Sequence, residues 1–304
     1  MQTPTHSRMA KYINPFVDFG FKYIFGREES KPFLIDFLNS LLCSEPGFSP
    51  IVSLEYLDKE KSRGKREARG VIYDIHCETS SGKRFTVEMQ NQSQAWFFDR
   101  MIYYVSKAIV DQGKAGRDWR YEYLPVYCVS FMNFVMEGYD DRFRIDAAIC
   151  DMRTGKPFSD KQRYIFIQTP LFDKKTPGEC VTDLDQWMYN IINMPTMETM
   201  AFTQQKRLFD RLEKMASYAT LSEDERMAYD AGLKAYRDMV GQIEFAEARG
   251  EARGEARGEA RGETRGRKEE KMEIVREMAR QGLSLDLIAS VAKLTVDKVR
   301  QIIS

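Results

Sequence analysis

Residues 71–90 constrain the fold most, because they predict two strands joined by a tight turn. Apolar and polar residues alternate on both sides of the turn, which is typical of strands with one buried face. Ser80, Ser81 and Gly82 form a three-residue loop with glycine at the positive-φ position, and such a loop pairs Thr79 with Lys83. Counting inward predicts three further pairs, namely Ile75 with Val87, Cys77 with Phe85, and Tyr73 with Met89.

The same register places Asp74 opposite Glu88, with Gln90 two residues along on the same polar face. Facing carboxylates repel each other, so the pair lowers stability unless a positive charge neutralises it. Mg²⁺ is usually bound by one or two carboxylates together with waters and phosphate oxygens, which this pair can accommodate. The alternative is a surface hairpin whose acids face water or pair with Lys83 and Arg84.

Five stretches of the chain follow the order helix, strand, strand with Asp, strand with Glu-x-Gln, helix. They are residues 14–25, Tyr73 with Asp74, residues 87–90, Arg100 with Tyr103 and Tyr104, and residues 123–127. In this order they resemble the PD-(D/E)XK nucleases, and more narrowly the Rpn type of recombination-promoting nucleases and putative transposases. The resemblance is strong over roughly residues 12–135 and looser to about residue 245.

The resemblance implies an α/β fold of the restriction-endonuclease-like kind, in which helices flank a mixed sheet and a helical C-terminal extension follows. It also implies a metal-dependent DNA endonuclease, in which Asp74 and Glu88 bind Mg²⁺ or Mn²⁺ and the Met89 carbonyl is a further ligand. Asp18 is an expected outer ligand from the first helix. Its alternative role is that of a helix-start acid favoured by the helix dipole.

Gln90, the third expected catalytic residue, stands where the superfamily more often has lysine. A neutral amide orients water through hydrogen bonds but cannot supply the positive charge of an ammonium. The missing charge then has to come from Lys22, Arg100 or a second metal. His76 shares the Asp74 face, where it is either a general base or, more commonly, a surface histidine.

The expected DNA contacts are basic side chains near this hairpin, because the formal net charge of zero leaves only local patches for a polyanion. Residues 58–70 hold six basic and three acidic residues, so this loop grips phosphates or is merely solvated. The contacts predicted by number are Lys22, Lys65, Arg66, Arg100 and Lys107. Tyr103 shares a helix face with Arg100 and Lys107, although we expect the aromatic residues there to be core.

The pattern of elements predicts an α/β unit over residues 1–170, which the resemblance makes the nuclease core, and a helical extension over 171–243. Helices are expected at 15–26, 31–43, 95–113 and 204–218, and strands at 51–57, 123–134, 143–149 and 163–167. In the helix at 95–113 the predicted buried stripe is Phe97, Met101, Tyr104 or Val105, and Ala108. Ser222 and Glu225 form a capping box for another helix.

Residues 247–262 repeat Glu-Ala-Arg-Gly, and Glu263-Thr264-Arg265-Gly266 continues the pattern. In a helix each Glu would meet Glu and each Arg would meet Arg at i+4, and each Gly costs about 1 kcal/mol relative to Ala. We therefore expect residues 244–270 to form a partly helical spacer. The alternative, a basic tether for nucleic acid, is weakened by the equal number of glutamates.

Residues 271–304 predict three short helices that resemble a helix-turn-helix element, with Thr295 to Arg300 opening the recognition helix. About thirty residues bury little core alone, so docking or a homodimer is expected. The alternative is a plain oligomerisation cap.

The five cysteines are scattered and only two histidines are present, which argues against zinc. The first residues contain no apolar signal segment, and no run reaches membrane length, so we expect a reduced, cytoplasmic protein without a membrane partner. Phosphate-loop, zinc-protease and serine-hydrolase motifs do not occur. A second function class stays open: a degenerate nuclease fold that binds DNA or protein through its C-terminal helices.

Overall fold

The structure is a computed structural model that describes residues 10–45, 47–57, 74–116 and 118–304. The chain divides into two compact units, Met1–Tyr236 and Arg237–Ser304. The four-part division expected from the sequence stays a prediction. The predicted pairing of Tyr73 with Met89 lies outside the described residues.

The first unit is built on a mixed sheet, which has six strands in the described part of the chain. These strands are β1 (Leu54–Tyr56), β2 (Ile75–Thr79), β3 (Arg84–Gln90), β4 (Val126–Met132), β5 (Arg144–Ala147) and β6 (Gln162–Gln168). The spatial order is β1-β2-β3-β4-β6-β5. β4 runs parallel to β3 and β6, whereas the remaining neighbours are antiparallel. The predicted mixed sheet with flanking helices is therefore confirmed.

The β2–β3 hairpin has the register that the turn and the apolar pattern predict. Ile75 pairs with Val87 and Cys77 with Phe85, and the Thr79 amide donates to the Lys83 carbonyl at 2.9 Å. Gly82 has a φ of +82°, and a Cβ there would also lie 2.7 Å from Leu124 Cδ1. The positive φ favours glycine, so the loop fixes which residues face each other.

One face of the sheet is covered by four helices, which are α1 (Asp18–Phe25), α2 (Lys31–Leu42), α4 (Asp183–Asn193) and α5 (Arg207–Met215). They bury an aromatic cluster in which Phe37 lies 5.0 Å from Phe131 and Trp187 lies 5.0 Å from Phe209 between ring centroids. A Cβ at position 20 would lie 2.1 Å from the Asn14 carbonyl oxygen. Glycine at this position therefore lets α1 approach the preceding segment closely.

The other face is covered by α3 (Phe97–Val110). Its apolar stripe is buried as predicted, with Val105 rather than Tyr104 at the third position, and it packs on residues of β4 and β6 such as Cys128 and Phe166. The polar side of the hairpin is consequently interior rather than exposed. Tyr103 is 46% exposed, so the expectation that it is a core residue is wrong.

α6 (Glu223–Arg280) begins at the predicted capping box, in which the Glu225 amide donates to Ser222 Oγ and the Ser222 amide to Glu225 Oε2. The helix is continuous through the Glu-Ala-Arg-Gly repeat, so the expectation of only partial helicity is wrong. Ala, Glu and Arg are strong helix formers. Opposite charges also meet at i+4 where the repeat ends, between Glu263 and Arg267 and between Arg265 and Glu269.

In the second unit the end of α6 packs with α7 (Leu285–Ala292) and α8 (Val296–Ile303). Their small core contains Val275, Ile288 and Val299. Gly282 has a φ of +82° and ends α6, and the Thr295 hydroxyl caps α8 by accepting from the Lys298 amide. α7 and α8 are the short helices predicted, whereas the first predicted segment is the end of the long α6; DNA contact or dimerisation stays a prediction.

All five cysteines lie in the described ranges and are free thiols. Cys77 and Cys128 are buried on the sheet. Among the described residues, no helix is long and apolar enough to cross a membrane.

Candidate active site

The two hairpin acids meet at the open end of the β2–β3 hairpin, away from its turn. Glu88 lies in β3, and Asp74 immediately precedes β2. The Asp74 amide donates to Glu88 Oε1 at 3.2 Å, and the Met89 amide donates to Asp74 Oδ2 at 3.0 Å. Each carboxylate therefore binds the backbone beside the other, which brings both to one point of the sheet.

Both acids are withdrawn from water, Glu88 almost completely with 3% of its surface exposed. Burial raises the pKa of Glu88 to about 8, and the negative charge of Asp74 acts in the same direction. Burial also raises the pKa of Asp74, against the hydrogen bond from Met89 and the charge of Lys22. The ionised pair carries more negative charge than the surrounding protein compensates.

α1 contributes a lysine and a second acid beside this pair. Lys22 Nζ lies 3.4 Å from Asp74 Oδ1 and also hydrogen-bonds to Asp18. Burial lowers the pKa of Lys22, but the hydrogen bond that Lys22 donates to Asp18 and the charge of Asp74 outweigh it and raise the pKa overall. Asp18 is the exposed first residue of α1, so Lys22 links it to the acid pair.

Gln90 and Arg100 form the other wall of the site. Arg100, from α3, donates through Nη2 to Gln90 Oε1 and through Nη1 to Gln94 Oε1, the latter at 2.9 Å. Gln90 Nε2 lies 3.5 Å from Glu88 Oε2. The Arg100 Nε atom is buried and has no hydrogen-bond partner among the described residues. A guanidinium is thus fixed next to the glutamate, joined to it through a glutamine amide.

One known protein family matches most of the chain. Residues 15–246 match the family described as PD-(D/E)XK nuclease family transposase. The chain belongs to this family. Searches of the curated proteins and of the solved structures gave no match. Family membership supports a nuclease or transposase type of function, for which DNA is the implied substrate.

The surface-hairpin alternative does not hold for this family member. Arg84 pairs with Glu78 at 2.7 Å rather than with Asp74 or Glu88. His76 is buried, and its Nδ1 lies 3.2 Å from Thr86 Oγ1, so the expectation of a surface histidine is wrong. Burial, together with the charge of Arg84, lowers the pKa of His76 to about 4.

The remaining predicted residues differ in their relation to the acid pair. Lys107 is on α3 and binds Asp111 one turn later. Lys65 and Arg66 lie outside the described residues. The Met89 side chain is buried in the core on the opposite face of the sheet. Because the amide and carbonyl of one strand residue point to the same side, the Met89 carbonyl faces β2 with the amide, and its role as a ligand stays a prediction.

Sequence reasoning missed the amides that follow β3. Gln94 orients Arg100, and Asn91 Nδ2 donates to the Phe16 carbonyl at 2.7 Å, which ties β3 to the segment before α1. Tyr104 is half-buried near the site, where burial and the charge of Glu88 raise its pKa. The signal was the amide-rich run Gln90-Asn91-Gln92-Ser93-Gln94 at the end of a strand.

The acid pair offers a divalent metal two carboxylate ligands but no third protein side chain of the usual kind in the described residues. In the described ranges, no group of three or more His, Cys, Asp or Glu side chains is arranged to hold a metal ion. Two largely buried carboxylates, of which only Asp74 pairs with a cation, are nevertheless the kind of protein ligands that Mg²⁺ commonly uses, since waters and phosphate oxygens supply the rest. The donor set fits a hard cation that is shared with a substrate.

Proposed function

We propose that the protein is a metal-dependent DNA endonuclease of the Rpn type, which hydrolyses phosphodiester bonds in recombination or in the movement of mobile elements. The observation that carries the proposal is the meeting of Asp74 and Glu88 at one point of the sheet, where burial raises the pKa of both carboxyl groups. A structural hairpin gains stability by replacing such a pair with neutral or opposite charges. Its presence in a nuclease family therefore favours a catalytic role.

Asp74 and Glu88 would hold Mg²⁺ or Mn²⁺, with Asp18 as an outer ligand reached past Lys22. When bound, the ion would supply an activated water and charge neutralisation on the phosphate. The two backbone amides that bind the carboxylates fix their orientation before substrate arrives. Preorganised ligands of this kind avoid reorganisation during the reaction.

Arg100 would supply the positive charge that lysine supplies in other members of the superfamily and that Gln90 lacks. Its guanidinium always carries a positive charge, and Gln90 and Gln94 hold it beside Glu88. The buried Nε–H has no hydrogen-bond partner among the described residues, so the guanidinium keeps unused donor capacity beside Glu88. Gln90 thus acts as a positioning residue, and the positive charge comes from α3.

The test is nicking of supercoiled plasmid by the purified full chain during titration with Mg²⁺ and Mn²⁺. We expect metal-dependent nicking by the wild type and none by Asp74→Asn, with unchanged circular dichroism. Equal nicking by the wild type and the variant would indicate a contaminant and end the proposal. Absence of nicking at every metal concentration would also count against it.

The second candidate is a DNA- or protein-binding module with a degenerate nuclease fold. Two observations favour it, the glutamine at position 90 and the separate unit that holds α7 and α8. Removing residues 271–304 should weaken DNA affinity or assembly under this proposal and leave plasmid nicking intact if the first unit is the enzyme. DNA binding that is unchanged by the deletion and insensitive to salt would exclude a DNA contact by these helices.

A further inference from the structure

α3 presents two large aromatic side chains to solvent next to the candidate active site. Trp96, the residue before the helix, is 62% exposed, and Tyr103 is 46% exposed. Neither ring stacks on another aromatic ring in the described residues. Phe98 differs, because it is also partly exposed but packs edge-on against Phe97 and Phe166.

Helical spacing places these rings on the same side as the site's cation. At 3.6 residues per turn, Trp96, Arg100, Tyr103 and Lys107 fall within an arc of about 60°. The Arg100 amide donates to the Trp96 carbonyl at 3.0 Å, so the helical path already includes Trp96. The buried stripe through Met101 lies on a different side of the helix. Aromatic and cationic residues therefore alternate along one edge of the helix, where the two rings are exposed and the two cations are half-buried.

The chemistry of this edge matches a nucleic-acid strand whose bases are not paired. An aromatic ring stacks on the face of any base, but in a duplex those faces are already covered by neighbouring bases. Cationic residues between the rings meet the phosphates, which repeat along the strand. A duplex could use only the cations. Two unstacked, exposed rings that flank Arg100 consequently favour a strand over a duplex.

We propose that the edge formed by Trp96, Arg100 and Tyr103 binds unpaired nucleotides, so that the substrate is single-stranded or locally unpaired DNA. Arg100 joins this edge to the acid pair, because its guanidinium binds Gln90 beside Glu88. Bases stack on Trp96 and Tyr103 while the intervening phosphate reaches Arg100. The inference rests on the proposed function and specifies its substrate class.

The experiment measures binding of the full chain to a fluorescently labelled oligo-dT strand and to a duplex of the same length, with EDTA present so that no cleavage occurs. We expect Trp96→Ala and Tyr103→Ala each to weaken strand binding about tenfold and to change duplex binding less than about twofold. Ile102→Ala is the matched control. Ile102 is 53% exposed on the same helix but lies on the other side of it, so its removal should change neither affinity.

Trp96→Phe keeps a stacking ring and should restore most of the affinity that Trp96→Ala loses, which separates stacking from a folding defect. The inference is overturned if both aromatic variants bind the strand like the wild type, or if Ile102→Ala loses as much affinity as they do. Equal losses on strand and duplex would also overturn it. If the aromatic variants bind the strand like the wild type and the protein nicks plasmid with metal, the proposed function stands and the inference fails. If the wild type binds the strand selectively but does not nick plasmid, the binding inference stands and the proposed function fails.

Discussion

The two ends of the β2–β3 hairpin differ in the charges that face each other across the strands. Near the turn, Glu78 faces Arg84, and the two form an ion pair at 2.7 Å. At the open end, Asp74 meets Glu88, two acids that repel each other. Both pairs belong to the same short hairpin and lie on the side of the sheet that α3 covers. The difference therefore reflects what each end does rather than the strands themselves.

The pair near the turn is complete within the protein, whereas the pair at the open end is not. Opposite charges across a strand stabilise a sheet modestly, and like charges destabilise it. Lys22 approaches Asp74 but is shared with Asp18, and Arg100 reaches Glu88 only through Gln90, so two cations serve three acids. An acid pair whose negative charge is only partly compensated by the protein can bind a further positive charge, such as a metal ion that arrives with a ligand.

The largest effect should come from neutralising one acid at each end of the hairpin. Glu88→Gln keeps the size of the side chain but removes a metal ligand, so plasmid nicking should fall on the order of 10³-fold or more. Glu78→Gln makes the same chemical change at the turn and should leave nicking within about twofold. Rates under saturating Mn²⁺ give the comparison, and similar losses in the two variants would contradict it.

Removing the cation of the open end should have the next largest effect. Arg100→Ala takes away the guanidinium beside Glu88, and we expect nicking to fall about 10²-fold, as for a lost transition-state donor. Arg100→Lys should recover part of the rate, since it restores charge but not the bond geometry to Gln90 and Gln94. Single-turnover rates are the measurement, and a fully active Arg100→Ala would move the missing charge to Lys22.

Variants at the two ends of the hairpin should differ in how much a divalent ion stabilises them against unfolding. Mn²⁺ at a hundredfold excess over its dissociation constant should raise the free energy of unfolding by about 2.7 kcal/mol, because it binds only the folded site. Urea unfolding followed by tryptophan fluorescence measures this gain. Glu78→Gln should retain it and Glu88→Gln should lose it. An equal gain in all three proteins would show that the ion binds elsewhere.

The sequence was sufficient for the hairpin because two independent signals agree there. The Ser80-Ser81-Gly82 loop and the alternation of apolar residues specify one register, and a slip by one residue would bury the wrong face. The burial of His76 and Glu88 was not predictable in this way. It depends on α3 returning across the sheet, a contact between elements that no local pattern encodes.

The orientation of the aromatic residues on α3 was unpredictable for the same reason. Helical spacing put Arg100 and Tyr103 on one face, but which aromatic residue points inward depends on the crossing of α3 over β4 and β6. The prediction of partial helicity for the Glu-Ala-Arg-Gly repeat was wrong for another reason. The like charges at i+4 and the glycines predict weak helicity, yet α6 is continuous, because it starts at a good cap and contains many strong helix formers.

The smallest expected effect concerns the pair near the turn and concerns stability alone. Arg84→Ala removes the ion pair with Glu78, and because both side chains are partly exposed, we expect a loss of about 1 kcal/mol in the free energy of unfolding. A double-mutant cycle with Glu78→Gln isolates the pair from the packing of the Arg84 stem. If Arg84→Ala instead abolished nicking while the protein stayed folded, the turn end would belong to the active site, and the contrast between the two ends would fail.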